Sequence, residues 1–287
     1  MPELPEVETV VRGLQAALPG RRILDVRLGK TDFIEDPAAL ERDLPGSRIG
    51  EVRRHGKFIV VNLDKRSGDA PESSLLIHLG MTGQILISPP EAPVAPHTHV
   101  FLGLDDGREF RYVDIRRFGQ MRLLAGGPQG GGLEKLGLDA LEATRDQFSS
   151  LVRSRRARIK ALLLDQSVLR GMGNIYTDES LWRARIHPAR LGTSLKDAEI
   201  RALYRAMRDV LNEAIRLRGS SISDYVDSEG RSGEFQLRHR VYQRLGKKCF
   251  RGDGVIRRTI VAGRSSYFCP GCQRAPRLKN KRRAVRH

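Results

Sequence analysis

Two residues at the start of the chain, Pro2 and Glu3, have the types and spacing for covalent chemistry at a carbonyl-level carbon. A proline after the start methionine leaves a small second residue, so Met1 is expected to be trimmed and the Pro2 imino group to become the chain terminus. An α-amino group titrates near about 7.7–8.0, roughly two units below lysine, so a useful fraction is uncharged and nucleophilic at neutral pH. A secondary amine condenses with an aldehyde to an iminium, and the Glu3 carboxyl beside it could pass protons. From Pro5 onward, Val7, Val10, Val11 and Leu14 predict an amphipathic helix with proline in its first turn. Its positive end would face the reactive nitrogen and favour the neutral form.

The elements that must carry these groups change type along the chain. Residues 22–124 read mostly as strands, at 23–28, 58–63, 75–79, 84–87, 100–104 and 121–124, with Asp105-Asp106-Gly107 as a hairpin turn. An antiparallel sandwich accommodates them. The Pro-rich stretch 88–96 is expected as a surface loop, and the glycine run 126–132 breaks both periodicities before a domain boundary. Beyond it the pattern is helical, at 141–152, 159–164, 175–184 and 195–217. Between the second and third helices, residues 165–174 carry two glycines suited to consecutive tight turns. A helix, two turns and a helix can present backbone N–H groups to a phosphate, with Asn174 as a side-chain donor. Residues 218–240 read as a long polar loop, and from Val241 short strands surround the cysteines before a basic tail at 277–287.

Composition limits the partners. The 287 residues hold 51 Lys+Arg against 34 Asp+Glu, a formal charge of +17, which calls for a polyanion. DNA, RNA and an anionic membrane surface stay open on charge alone. No apolar run approaches a membrane span and the acidic, Pro-containing start is no signal peptide, so a cytoplasmic location is expected. The three cysteines, Cys249, Cys269 and Cys272, are too few and too odd in number for a disulfide framework, which leaves metal chemistry or incidental thiols.

The run Pro2-Glu3-Leu4-Pro5-Glu6-Val7-Glu8-Thr9 resembles the opening of the formamidopyrimidine-DNA glycosylases, bifunctional base-excision enzymes in which a terminal proline attacks the sugar of a damaged nucleotide. Gly171-Met172-Gly173-Asn174-Ile175-Tyr176 with Asp178-Glu179-Ser180-Leu181 is similar to the family's helix-two-turn-helix signature. The resemblance covers nearly the whole chain, with weaker stretches at 88–96 and 125–150. It implies an α+β fold: an N-terminal antiparallel β-sandwich with a leading helix (1–135), a helical helix-two-turn-helix domain with a lesion loop (136–240), and a β-hairpin zinc-finger-like element with a basic tail (241–287). The two larger domains are expected to clamp a cleft on DNA.

Residue roles follow from the same resemblance. Pro2 is the nucleophile and Glu3 the proton donor to the sugar oxygen, while Lys57 and Arg264 assist β- and δ-elimination. Met81 enters the space left by the everted base, Arg116 faces the widowed cytosine and Phe118 wedges between base steps, offsetting part of the few kcal/mol that extrusion costs. His97, Arg155 and Asn174 are implied as DNA contacts, with Lys160 a further phosphate candidate and Ser220 and Tyr225 lesion contacts. The trio Met81, Arg116 and Phe118 favours the oxidised-purine branch, with 8-oxoguanine or its ring-opened form as substrate, over the endonuclease VIII-like branch that acts on oxidised pyrimidines. A damage-binding protein without catalysis is the alternative of another class. The implied partner is duplex DNA with oxidised bases or abasic sites, and the implied state a nucleoid-associated monomer. No catalytic cofactor is implied.

The family's finger carries Cys-x2-Cys twice, a tetrahedral zinc site, but here its four positions read Cys249, Gly252, Cys269 and Cys272. Two alternatives remain open: a structural zinc on three thiolates with water or Asp253 as fourth donor, or a hairpin held without metal by strands around Val255-Ile256 and Tyr267-Phe268.

Overall fold

The computed structural model describes residues 2–64, 73–127, 131–222 and 225–275, so the basic tail expected at 277–287 lies outside the described residues. The chain separates into two compact units. One comprises residues 1–143, 164–173 and 208–239, the other 144–163, 174–207 and 240–287. The segment expected as a separate finger therefore groups with helical residues of the second unit.

In the first unit α1 (Leu4–Ala17) begins at the expected place. Glu3 is its N-cap, Pro5 sits in the first turn where a missing N–H costs nothing, and the Glu6 carboxylate takes the Glu3 N–H at 2.8 Å. Its buried face is Val7, Val10, Val11 and Leu14, the stripe read from the spacing, joined by Leu4. Two four-stranded antiparallel sheets follow. One has the order β1 (Ile23–Leu28), β6 (Thr98–Leu104), β7 (Glu109–Asp114), β5 (Gly83–Ser88); the other β2 (Arg48–His55), β3 (Phe58–Asp64), β4 (Ser73–His78), β8 (Gln120–Ala125). Ile59, Val61, Leu75, Ile77, Ile85, Val100, Leu102 and Phe110 form one buried cluster with the α1 stripe. A short helix, α2 (Pro37–Asp43), is capped by Asp36, whose carboxylate accepts the Ala39 N–H at 3.0 Å.

Strands β2 and β7 and helix α2 escape the reading by periodicity. β2 (RIGEVRRH) is charged and β7 (EFRYVD) mixes charge with aromatics, yet all six β7 residues are buried. Arg111 is compensated inside by Glu109 at 2.8 Å and by carbonyls of Pro89, Pro90, Ala92 and Pro93. The Pro-rich loop is thus a ring of acceptors for a buried guanidinium.

The second unit holds α3 (Arg145–Ser154), the first five residues of α4 (Ile159–Leu164), α5 (Asn174–Arg183) and the first part of α6 (Asp197–Arg216). Thr144 and Gln147 form a reciprocal capping box, so α3 starts later than the sequence pattern indicates. The hairpin β11 (Arg257–Val261) and β12 (Arg264–Phe268) turns at Ala262 and Gly263, both at positive φ, as a two-residue hairpin of this hand requires.

Candidate active site and nucleic-acid interface

The start of α1 is held by the turn segment 164–173 of its own unit. The Leu4 N–H donates to the Gly171 carbonyl at 3.0 Å. A Cβ at Gly171, whose φ is +98°, would collide with the Leu4 side chain, and one at Gly173 would collide with the Glu3 carboxyl group. Both glycines are therefore required by close approach, and the pair sets Glu3, 2% exposed, against the Gly173 backbone. The segment is itself tied by Gln166, whose Nε2 donates to the carbonyls of Leu164 and Met172 at 2.9 Å while its Oε1 accepts the Gly171 N–H at 2.9 Å. Short strands β9 (Leu138–Asp139) and β10 (Leu169–Arg170) pair in parallel beside it.

Lys57 follows Gly56 in the β2–β3 turn and is 8% exposed. A Cβ on Gly56 would come within 3.1 Å of the Arg170 side chain, so the lysine's turn packs beside the residue that precedes Gly171. His78 faces Phe58 across the β3–β4 pair, and burial, reinforced by the Lys57 charge, lowers its pKa to about 4. The neutral ring accepts the Gly80 N–H at Nδ1, 3.1 Å away. Lys57 thus belongs to a buried environment, unlike a solvated surface lysine.

Met81 and Phe118 are exposed, at 40% and 55%, on loops that leave β4 and β7. The Arg116 guanidinium lies over the Phe118 ring at 4.4 Å. Both loops are fastened beneath by Asp114. One of its oxygens accepts the Thr82 hydroxyl at 2.6 Å; the other accepts the Gly119 N–H at 2.8 Å and the Tyr112 hydroxyl at 3.3 Å. Thr82 Oγ1 in turn accepts the Arg116 N–H at 3.2 Å. A Cβ at Gly80 would strike the Phe118 backbone and one at Gly119 the Tyr112 hydroxyl, so the loops touch without side chains between them. His97, exposed and at φ 65°, has its carbonyl on the Asp114 N–H at 3.0 Å.

The second unit carries Arg155, Lys160, Asn174 and Arg264. Arg155 is exposed at the C-cap of α3, and Arg264 is exposed where the hairpin turns into β12. Asn174 opens α5 with a buried Oδ1 that has no hydrogen-bond partner. Lys160 departs from its expected role: it is 0% exposed and its Nζ donates to Asp178 at 2.7 Å and to the Ser265 carbonyl at 2.9 Å. A phosphate cannot reach an ammonium committed this way, so Lys160 is a buried tie. The other Asp178 oxygen accepts the Tyr267 N–H at 2.8 Å, so the Lys160–Asp178 pair grips the strand on either side of Ser266, two residues beyond Arg264. Burial pushes the Asp178 carboxyl up, and Lys160 draws it back.

Cys249, Cys269 and Cys272 converge with their Sγ atoms within 4.8 Å of one another. Trp182 Nε1 donates to Cys249 Sγ at 3.4 Å and Arg251 Nη1 to Cys272 Sγ at 3.7 Å. Burial and the neighbouring Cys269 push the Cys272 thiol up to about 12, whereas at Cys249 burial is outweighed by hydrogen bonds from the Arg251 backbone and Trp182, which draw the thiol down. Asp253 is not among the converging groups, and a Cβ on Gly252 would meet open space. The donor set fits a soft tetrahedral cation with one open corner.

Ser220 and Tyr225 are buried within the first unit. The Ser220 N–H donates to Glu6 at 2.7 Å and the Tyr225 hydroxyl to the Glu6 carbonyl at 3.2 Å. Tyr225 is a core residue and its hydroxyl is a structural donor, which corrects its reading as a lesion contact. The sequence reading also missed Glu6, Asp114, His78, Asp178 and His239. Glu6 carried a signal, its capping-box spacing from Glu3; each of the others has at least one partner distant in sequence, Lys57 for His78, Thr82 for Asp114, Lys160 for Asp178 and Ser220 for His239.

The chain matches the model of the formamidopyrimidine-DNA glycosylase N-terminal domain over residues 1–121 and that of the formamidopyrimidine-DNA glycosylase H2TH domain over 136–226. It is 43% identical over 280 residues to a formamidopyrimidine-DNA glycosylase of Pelotomaculum thermopropionicum, covering 96% of this chain and 99% of that one. Among solved structures it is similar to Lactococcus lactis Fpg in complex with DNA containing an abasic site (TM-score 0.84, 32% identity, 95% of this chain and 100% of that one). It is also similar to the MutM (Fpg) protein of Thermus thermophilus (TM-score 0.81, 39% identity, 95% and 98%).

Proposed function

Given that the chain belongs to the formamidopyrimidine-DNA glycosylase family, we propose that it is a base-excision repair glycosylase for oxidised purines with associated abasic-site lyase activity. The observation that carries the residue assignment is the placement of Glu3 against Gly173, next to Pro2, at the positive end of α1. With Met1 removed, the Pro2 nitrogen attacks the sugar C1′ of the everted nucleotide. The C1′–base bond breaks, the base leaves with a proton, and an iminium joins Pro2 to the opened sugar. Glu3 donates the proton that opens the ring at O4′. Lys57 and Arg264 assist loss of the 3′ and then the 5′ phosphate, and water hydrolyses the iminium to free Pro2 and the unsaturated aldehyde left of the sugar, leaving a gap with phosphate at both ends.

Met81, Arg116 and Phe118 fill the space behind the everted base, a role that suits exposed apolar groups on loops braced by Asp114. His97, Arg155 and Asn174 are DNA contacts in this reading, and the protein acts as a nucleoid-associated monomer. Cys249, Cys269 and Cys272 would hold one structural zinc through their three Sγ atoms. Zinc there would pin the hairpin that carries Arg264 and takes no part in the chemistry. Metal analysis of the purified protein should return one zinc per chain, and Gly252→Cys should slow its loss to a chelator; zinc-free protein with a folded hairpin would count against the site.

Borohydride trapping on duplexes with 8-oxoguanine opposite cytosine tests the main reading. The parent protein should form a covalent adduct whose peptide carries the crosslink on Pro2, and Pro2→Gly should lose most of it. A crosslink on an interior lysine would overturn the assignment, and preference for a thymine-glycol duplex would move the chain to the oxidised-pyrimidine branch.

A further inference from the structure

We propose that His239 is a positioning residue for the Ser220 turn, and through it for selection of the damaged base, a step that rests on the function proposed above. His239 is 8% exposed and Ser220 6%. Its Nε2 lies 3.1 Å from Ser220 Oγ, as donor or acceptor according to tautomer. The imidazole is set edge-on against Phe235, with centroids 5.6 Å apart at 67°, which fixes the ring plane that the serine meets.

The turn is a built structure. Gly219, at φ +78°, leaves the room that the Glu6 carboxylate occupies, since a Cβ there would come within 2.6 Å of Oε1. Glu6 accepts the Ser220 N–H with that oxygen and the Glu3 N–H with the other. On the far side the Phe235 N–H donates to the Gly219 carbonyl at 2.9 Å, the Glu234 N–H to the Leu217 carbonyl at 2.7 Å, and the Ser221 N–H to Gln236 Oε1 at 3.0 Å. A chain of contacts therefore runs from His239 through Ser220 to Glu6 and on to the residue beside Pro2, within one unit of the protein.

The two ends of this chain respond differently to loss of the imidazole. Glu6 keeps its bonds to the Glu3 and Ser220 N–H groups, so the start of α1 and the backbone of the turn stay in place, whereas the Ser220 hydroxyl loses its bond to His239 Nε2. Removing the imidazole therefore acts first on the side chain at Ser220. In a segment expected to lie over the everted base, a misdirected Ser220 hydroxyl reduces discrimination of the base, and a preformed abasic site has no base to discriminate.

Single-turnover excision of 8-oxoguanine and strand cleavage at a preformed abasic site, measured side by side, test this. His239→Leu should slow excision about tenfold and leave abasic-site cleavage within about twofold. His239→Gln, which can place an amide group near the Nε2 position, should recover most of the loss. Ser220→Ala should slow excision by a similar factor, and the Ser220→Ala, His239→Leu double variant should be no slower than either single one. Equal loss in His239→Gln and His239→Leu, equal loss on both substrates, or additive single effects would each overturn the proposal. A parent protein that fails to cleave abasic DNA would instead overturn the functional reading beneath it. Melting curves separate any variant that fails to fold, in which case Ser220→Ala and His239→Gln still decide.

Discussion

His78 shows how one side chain can be set by its neighbours for a range of pH. Burial first, and then the Lys57 charge, lower its pKa to about 4, against about 6.5 in an unfolded chain. The unfolded state therefore binds more protons than the folded one between those values. The stability this ring contributes is fully present above pH 6.5 and is lost as pH falls from 6.5 toward 4, by up to about 3 kcal/mol. Titration of the His78 ring by NMR should show a neutral imidazole down to about pH 5, and His78→Asn should flatten the acid limb of the stability curve. Asp114 is the second case. Three donors, from Thr82, Tyr112 and Gly119, converge on its two oxygens, so Asp114→Asn turns one acceptor into a donor facing donors. A loss of about 1–3 kcal/mol in urea-determined stability is expected. Base excision should fall with it, because Arg116 and Phe118 ride on the loop that Asp114 fastens.

At the scale of elements, α5 is the anchor of the C-terminal segment. Glu179, 3% exposed, accepts the N–H groups of Arg240, Val241 and Tyr242, each at 2.9 Å. Burial pushes its carboxyl up and the three amides draw it back. Glu179→Ala leaves those amides without their shared acceptor, and about 2–4 kcal/mol should be lost. Hydrogen exchange should locate the loss at 240–242, and unchanged protection there would refute the anchor role. This anchoring marks the limit of what the sequence revealed. The α1 stripe, six strands and the 165–174 turns were legible because burial follows a period or a glycine marks a turn. Strands β2 and β7 were not, because Arg54 and Arg111 are buried against Glu8, Asp139 and Glu109, and periodicity reads such arginines as surface. Lys160 was misread for the same reason. Pro2, Glu3 and Asn174 could be picked out from local motifs; Asp114, Glu179 and His239 could not, since their partners are brought to them only by the fold.

Across the whole molecule, the formal charge of +17 understates how basic the exterior is. Glu3, Glu6, Glu109, Asp114, Asp139, Asp178, Glu179 and Asp227 are buried, whereas among the described lysines and arginines only Lys57, Arg111 and Lys160 are buried as whole residues, with the Arg54 side chain beside them. The acids are used as internal acceptors for backbone amides and guanidinium groups, and the arginines left outside face solvent. On the proposed function, this exterior should bind undamaged duplex with an affinity set by counterion release, so that log K falls linearly with log salt by about 0.9 per phosphate neutralised. Charge and wedge should then separate by substitution. Arg155→Ala should weaken binding to every duplex alike and reduce the slope by about one. Phe118→Ala should leave the slope unchanged, because no phosphate contact is lost, and weaken only the complex in which a base has left the stack. Fluorescence titrations from about 50 to 200 mM salt on intact and abasic duplexes measure both quantities. A Phe118 variant with a shallower slope, or an Arg155 variant with an unchanged one, would contradict the assignment of one to stacking and the other to phosphate.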